Sequence, residues 1–369
     1  MIQPSGLSSS QLPPPASYGV LAWMRANLFQ NRSSTAATII LLCLLVIGGD
    51  RLFRWAVLDA VWSLPGTGPG DTVACRRSGA GACWAVVTEK YRFILFGLYP
   101  FEEQWRPAAT IAVFLALFAS STRSRWWGWR LAVIWIGGFA LAYAFLRGGI
   151  FGLTVVSEDR WGGLPVTLLL ASSGLALAFP LAILVAVGRL SDNPALRLVC
   201  RIYVEIIRGV PLISVLFLAS VLFPLFLPEG MHVSKLLRAQ LAIVVFVAAY
   251  LSELIRGGLQ ALGRGQTEAA TALGLGYWKT LALIRLPQAI ALALPPIVSL
   301  FIGFFKNTSL VMTIGIFDLL NAAKSAVAEP AWQGFGTEAY LFAGAIYFAF
   351  CFAMSRYGLR LERRLARAR

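Results

Sequence analysis

One histidine, His232, occurs in 369 residues, and it lies in no cluster of metal-ligating side chains. A histidine-based metal centre or imidazole catalysis has nothing to build on. Charge is scarce as well: 13% of the residues are Asp, Glu, Lys or Arg, against 58% hydrophobic residues and a mean hydropathy of +0.72. Such a composition excludes an ordinary soluble domain and reads as an all-α, polytopic membrane protein. Acids are rarer than bases, 17 against 32, and none falls in the middle of an apolar run. That counts against a secondary transporter driven by an ion gradient, which normally buries carboxylates and shows related half-length repeats. A phosphate-binding loop is missing too. Gly258 to Gly265, "GLQALGRG", copies its glycine spacing, but Arg264 and Gly265 stand where Lys and Ser or Thr are needed to reach phosphate and magnesium. The chain is therefore expected to be no enzyme and to hold no catalytic, metal or cofactor residues of its own.

Long apolar runs are what the chain has instead. A span takes about 20 mainly apolar residues, fewer where flanking Trp, Tyr and Arg reach the interface. Runs from Thr35, Pro107, Trp129, Leu164, Val210, Ala239, Ile290 and Ala339 meet that rule, giving about eight spans and both termini on one side. Segments 1–34, 122–130, 188–209, 254–290 and 355–369 hold 19 of the Lys and Arg residues, whereas 50–107, 147–163, 228–238 and 314–338 balance 12 basic with 12 acidic residues. The positive-inside rule makes the first set, and both termini, cytoplasmic. Basic residues gathered in short loops between apolar runs point to a lipid bilayer, not nucleic acid, as the partner.

The opening "MIQPSGLSSSQLPPPASYG" is Ser/Pro-rich, uncharged and far from the first apolar run, so residues 1–34 read as a disordered cytoplasmic tail without a cleavable signal. Residues 35–161 form a three-span extension with an outer loop at about 63–106 and a short helix expected around 85–93. Residues 162–358 form a five-span core, and 359–369 a basic tail. Cys43, Cys200 and Cys351 read as small apolar residues at or in spans. Cys75 and Cys83 lie in the outer loop, in "ACRRSGAGAC", on the oxidising side; spacing alone leaves a local disulfide and two free thiols equally open.

One stretch is too small and polar for its surroundings: "EAATALGLGYWKTLALIRLP", Glu268 to Pro287, within the inner segment 264–287. Thr267 can cap a helix start, Glu268 sits where the macrodipole favours an anion, and Ala269, Ala270, Ala272 and Leu273 are good helix formers. Gly274 and Gly276, around Leu275, permit a sharp turn before a second amphipathic piece that Pro287 is expected to break. On composition alone this is an interfacial hairpin joining two spans.

Glu-Ala-Ala, three residues, Gly274, nine residues, then Ile284-x-Leu286-Pro287 resembles the EAA loop of binding-protein-dependent ABC importer permeases. The likeness covers Gly162 to about Arg364. "YLSELIRGGLQALGRGQTEAA" and "FFKNTSLVMTIG" are similar to the polar amino-acid branch, and the extension with "GLYPFEEQWRP" to the M-type permease of the general L-amino-acid transporter. One position departs: Asn307 stands where many relatives have Asp. The resemblance implies a type-1 importer core in the bacterial inner membrane, paired with a paralogous permease. It also implies two ATPase subunits holding ATP and magnesium, and a periplasmic binding protein that delivers an L-amino acid. Glu268, Ala269, Ala270, Leu273, Gly274, Leu275 and Gly276 would then couple this chain to the ATPase.

Ionisable groups inside a bilayer are costly and mark candidate sites. Lys306, with Asn307, Thr308 and Ser309, could receive the carboxylate of a zwitterion; equally, Lys306 could snorkel to the interface or fix span packing. Glu205, Arg208, Glu253 and Arg256 lie at inner span ends, where pairing across helices would form a gate. Pro295 and Pro296 are expected to bend the seventh span. A non-transporting scaffold that docks a soluble partner through the same loop is the remaining alternative.

Overall fold

The computed structural model describes residues 19–64, 72–150 and 152–367. These divide into two compact units, 19–64 with 72–84, and 85–367. In the first, helix α1 (Val20–Asn27) leads to α2 (Arg32–Phe53). Asn31 starts α2 by accepting from the Ser34 amide at 2.8 Å, and a π-helical turn, Arg54–Leu58, extends it to 27 residues. The tail expected to be disordered is thus helical from Val20, because "VLAWMRAN" has no Pro or Gly to stop it; residues 1–18 of that tail lie outside the described residues. Nor do Asp50, Arg51 and Arg54 end the span, since Arg54 pairs with Asp50 one turn back at 3.0 Å. Cys75 and Cys83 are joined in a disulfide with Cα atoms 5.5 Å apart. The loop they close folds onto the π-turn: the Ala82 amide donates to the Trp55 carbonyl at 2.7 Å and the Trp84 indole to that of Ala56 at 2.8 Å.

The second unit holds α3 (Ala85–Phe96), α4 (Trp105–Ser121), α5 (Trp129–Arg147), α6 (Gly163–Arg189), α7 (Pro194–Gly209), α8 (Leu212–Phe217) and α9 (Lys235–Ala261). After them come α10 (Gly265–Ala272), α11 (Tyr277–Thr280), α12 (Leu286–Asn307), α13 (Leu319–Ala326) and α14 (Gly336–Arg367). Helix α6 packs along α9, and α9 along α12, around Leu170, Ile243, Val247, Leu251, Ile255 and Ile297. A second cluster joins Ile94 of α3 and Phe114 and Leu117 of α4 to Leu168 of α6 and Ala323 of α13. The contacts therefore separate the chain at residue 84/85, not at Gly162: the second and third expected spans share a core with everything that follows. Gly163 explains the tightness of that joint. Its φ is +68°, and a Cβ there would lie 2.1 Å from the Leu95 carbonyl oxygen, so only glycine lets the start of α6 meet the end of α3. The tail expected from 359 is also helical, since α14 runs to Arg367.

All eight apolar runs are helical, yet among the described residues six helices are long and apolar enough to cross a membrane, or seven counting one bent pair. The six are Arg32–Leu58, Trp129–Arg147, Gly163–Arg189, Lys235–Ala261, Tyr277–Ile314 and Gly336–Leu365. Helix α4 has 17 residues. The run from Val210 is short and irregular, passing from α8 into a π turn and then 3-10 turns to Phe226, and it turns 104° from α7. Pro211 after Gly209 makes that corner. Pro287, expected to end a helix, does not: a π turn at Leu281–Arg285 absorbs its missing amide, and the chain continues unbroken through Pro295 and Pro296.

Arg106 is the one fully buried arginine among the described residues. It donates to the carbonyls of Phe145 at 2.7 Å and Thr154 at 3.0 Å and pairs with Glu103. Tyr99 adds its hydroxyl to the Leu146 carbonyl at 3.0 Å, so two side chains finish the C-terminal end of α5. Thr154 and Arg106 together hold the Glu103 carboxyl below its usual range. Arg106→Met should leave these acceptors unpaired and cost on the order of 3 kcal/mol, read as a clear fall in melting temperature of the detergent-solubilised protein. An unchanged melting temperature would show that this cluster is not a fastening.

Candidate coupling and gate sites

Helix α10 begins at Gly265, two residues before the cap expected at Thr267: the Arg264 carbonyl receives the amides of Thr267 and Glu268, and Thr267 lies inside the helix. Glu268 stays in the first turn, beside the positive end of the dipole. At the other end the Gly274 amide donates to the Thr271 carbonyl at 2.9 Å and the Leu275 amide to that of Ala270 at 3.0 Å, with Gly274 at φ +74°. This double closure is a Schellman turn, which satisfies the last carbonyls without outside help. Gly276 follows as the residue before α11. Of the predicted coupling residues only Ala270 is buried; Glu268, Ala269 and Gly274 are exposed, and Leu273 is 79% exposed. Tyr277 and Trp278 add exposed aromatic surface alongside. Two links tie this projection to the helices, Ala270 beneath it and the Gln288 amide donating to Gln266 at 3.2 Å; α9 and α12 themselves cross closely, and a Cβ on Gly258 would lie 2.3 Å from the Ala289 oxygen.

At the same end of the bundle, Glu253 collects three guanidinium groups. Arg189 from the end of α6 and Arg256 one turn along α9 bond it directly, and Arg208 of α7 stands at 3.9 Å. Arg256 reaches on to Gln260, and Arg208 lies over the Tyr250 ring at 5.4 Å. Arg208, Glu253 and Arg256 are thus brought together, and Arg189 joins them unpredicted. Glu205 is not among them. It faces solvent and pairs with Arg201 at 2.9 Å, one turn back on its own helix.

Lys306 and Asn307 are exposed at the last turn of α12, where a cation suits the negative end of the helix dipole. Thr308 is buried, and its hydroxyl is spent on the Phe305 carbonyl at 2.7 Å; the Ser309 hydroxyl goes to that of Lys306 at 2.8 Å. Just beyond lies a group the sequence did not single out. Asp318 has no exposed surface; it caps α13 by accepting the amides of Leu320 and Asn321 at 3.1 and 3.0 Å, and receives the Tyr347 hydroxyl at 3.3 Å. Thr167 of α6 accepts the Leu319 amide at 3.1 Å, so three distant elements meet at one helix start.

Residues 178–367 match the model of the binding-protein-dependent transport system inner membrane component family. The chain belongs to that family. Over 96% of both chains the permease is 42% identical to the inner membrane amino-acid ABC transporter permease protein YhdY of Escherichia coli K12. It is 36% identical, over 96% of its length and 95% of the relative's, to the glutamate/glutamine/aspartate/asparagine transport system permease protein BztC of Rhodobacter capsulatus. Among solved structures, the crystal structure of an amino acid ABC transporter with histidines aligns with 55% of the permease and 92% of that chain, at 31% identity and a TM-score of 0.48.

Burial pushes the Asp318 carboxyl up to about 6, against the pull of two amides and Tyr347. A carboxyl raised in the folded state binds its proton more tightly there than when unfolded. The stability it adds is therefore full at low pH and is lost as pH rises through about 6. The permease should melt at lower temperature at pH 7 than at pH 4.5, and Asp318→Asn, which keeps a capping oxygen, should flatten that difference. An equal slope in the variant would assign the effect to other groups.

Proposed function

We propose that this chain is the membrane-spanning permease subunit of an ATP-driven importer of L-amino acids. It pairs with a paralogous permease and couples to two ATPase subunits, which bind ATP and magnesium, and it accepts substrate from a periplasmic binding protein. Both termini and α10 face the cytoplasm, as the distribution of Lys and Arg supports. The carrying observation is α10 itself: a short helix, closed by its own backbone and exposed on nearly every residue, standing on a chain that matches amino-acid permeases end to end. Leu273, Tyr277 and Trp278 form an apolar tread suited to a cleft on a soluble motor.

In this reading, nucleotide-driven closure of the ATPases displaces α10, and the displacement passes to α12 through Gln266 and Gln288 and to α9 through the Gly258–Ala289 crossing. Helix α9 carries with it Glu253 and Arg256, which meet Arg189 of α6 and Arg208 of α7 in the cluster that serves as the inner gate. Lys306 to Ser309 contribute to the substrate path.

At Gly274 the backbone angle, not space, is limiting, because nothing lies within 4 Å of a Cβ built there. Gly274→Val should therefore lower ATP-driven amino-acid uptake by proteoliposomes at least tenfold, equivalent to about 1.4 kcal/mol, while Gly274→Asn, which tolerates the left-handed region, retains most of it. Equal uptake by both variants would remove α10 from the coupling path. Lys306→Ala should impair uptake while the complex still co-purifies; full uptake would restrict Lys306 to its place at the helix end.

A further inference from the structure

At the end of α9 opposite α10 lies a cavity of about 480 Å³, within the range of roughly 300–1,000 Å³ usual for small-molecule sites. Glu158 and Asp159, on the turn before α6, line it from one side, and Lys235 and Arg238, in the first turn of α9, from another. Trp161 and the turn Gly315–Phe317 complete the wall. The 27 residues of α9 put it about 40 Å from the coupling segment.

We propose that this cavity receives the α-carboxylate and α-ammonium groups of a free amino acid at the outer mouth of the permease; the proposal rests on the amino-acid reading above. Four charged side chains of both signs line one space, yet no ion pair within 4.0 Å joins either acid to either base. The Glu158 Oε2 and Arg238 Nε atoms are buried and have no hydrogen-bond partner in the protein. Arg238 is held in place at its other end, where Nη1 donates to the Ser220 carbonyl. Lys235 reaches across Gly315, whose added Cβ would lie 3.5 Å from Nζ. Unpaired charge of this kind is unfavourable in partly buried surroundings. A ligand carrying one charge relieves half of it, and a zwitterion relieves both halves: its carboxylate meets the guanidinium and ammonium, its ammonium the two carboxylates. Trp161, 2% exposed and with its indole committed to the Val156 carbonyl at 3.2 Å, leaves only apolar ring surface toward the ligand. The site thus reads the backbone groups that all amino acids share and places little demand on the side chain.

Saturation-transfer NMR on the assembled transporter in nanodiscs, without nucleotide or binding protein, tests this with three probes: L-alanine, propionate and ethylamine. L-Alanine should give at least a fivefold stronger transfer than either analogue. Arg238→Gln should remove the L-alanine and propionate signals, and Glu158→Gln those of L-alanine and ethylamine, while Arg238→Lys retains L-alanine. Should Arg238→Gln fail to assemble, Lys235→Gln, at an exposed position, is expected to weaken the L-alanine signal in its place. Equal transfer to the three probes, or an L-alanine signal indifferent to all the substitutions, overturns the site. Proteoliposome uptake separates the two levels of inference. ATP-driven import with an unchanged KM in both Gln variants overturns the cavity alone, whereas a wild-type complex that imports no amino acid overturns the function and the cavity together.

Discussion

Helix ends leave backbone groups without partners in the helix, and how each end is finished decides which elements of this protein are tied together. The C-terminal carbonyls of α5 are met by Tyr99 and Arg106, side chains from another part of the sequence. The start of α13 is met by Asp318 and by Thr167 of α6. Asn193 and Ser234 cap α7 and α9. The ends met by Tyr99, Arg106 and Thr167 cannot move without breaking bonds to distant parts of the sequence, so these three positions tie helices into a unit. Helix α10 differs, because its last carbonyls are closed by its own backbone at Gly274 and Leu275. It needs no neighbour to keep its shape, and it is free to be pushed as a rigid piece.

A rigid projection transmits force only if its base is stiff. Here the base is the unbroken helical run from Tyr277 to Ile314, 38 residues long, together with α9, which meets α12 backbone to backbone at Gly258 and Ala289. A residue with a side chain at 258 would hold the two helices apart and open a compliant gap between them. The proposed substrate path, Lys306 to Ser309, lies on the Tyr277–Ile314 run, and Glu253 and Arg256 of the proposed gate lie on α9. In the proposed mechanism a push on α10 is delivered to the helices that carry part of each.

The coupling segment was legible in the sequence because everything that shapes it is local. Helix formers, an early Glu and a glycine in a left-handed turn act within ten residues, and their spacing survives as a readable string. Spans were legible for the same reason, save where the backbone departs from the α-helix: the π turns at Arg54–Leu58 and Leu281–Arg285 extend helices past charges and a proline that ordinarily stop them. What was not legible depends on distant contacts. Asp318 looks like a loop acid until α6 and α14 close over it, since its partners Thr167 and Tyr347 are far away in sequence. Arg189 looks like a basic residue at a span end until α9 brings Glu253 to it. Glu205 misled in the opposite sense: its place at an inner span end suggested pairing across helices, while its carboxylate is taken by Arg201 on its own helix.

Two arginine–carboxylate sites of similar chemistry differ in burial, and burial sets how firmly each is held. The Arg106 side chain has no exposed surface, and separating it from Glu103 would strand a charge in a dry interior, which makes the bond costly to break. Around Glu253 the side chains of Arg189, Arg256 and Arg208 are 14%, 24% and 42% exposed. Water reaches each group, which lowers the net worth of any single pair toward about 1 kcal/mol. Three arginines also compete for one carboxylate. Losing Arg208 or Arg189 from the cluster then leaves Glu253 neutralised by the others, and the released guanidinium returns to solvent at little cost. In the proposed gate, arrangements separated by so small a difference are open to a push from α10. A single, fully buried pair at the same place would hold α6, α7 and α9 together against it.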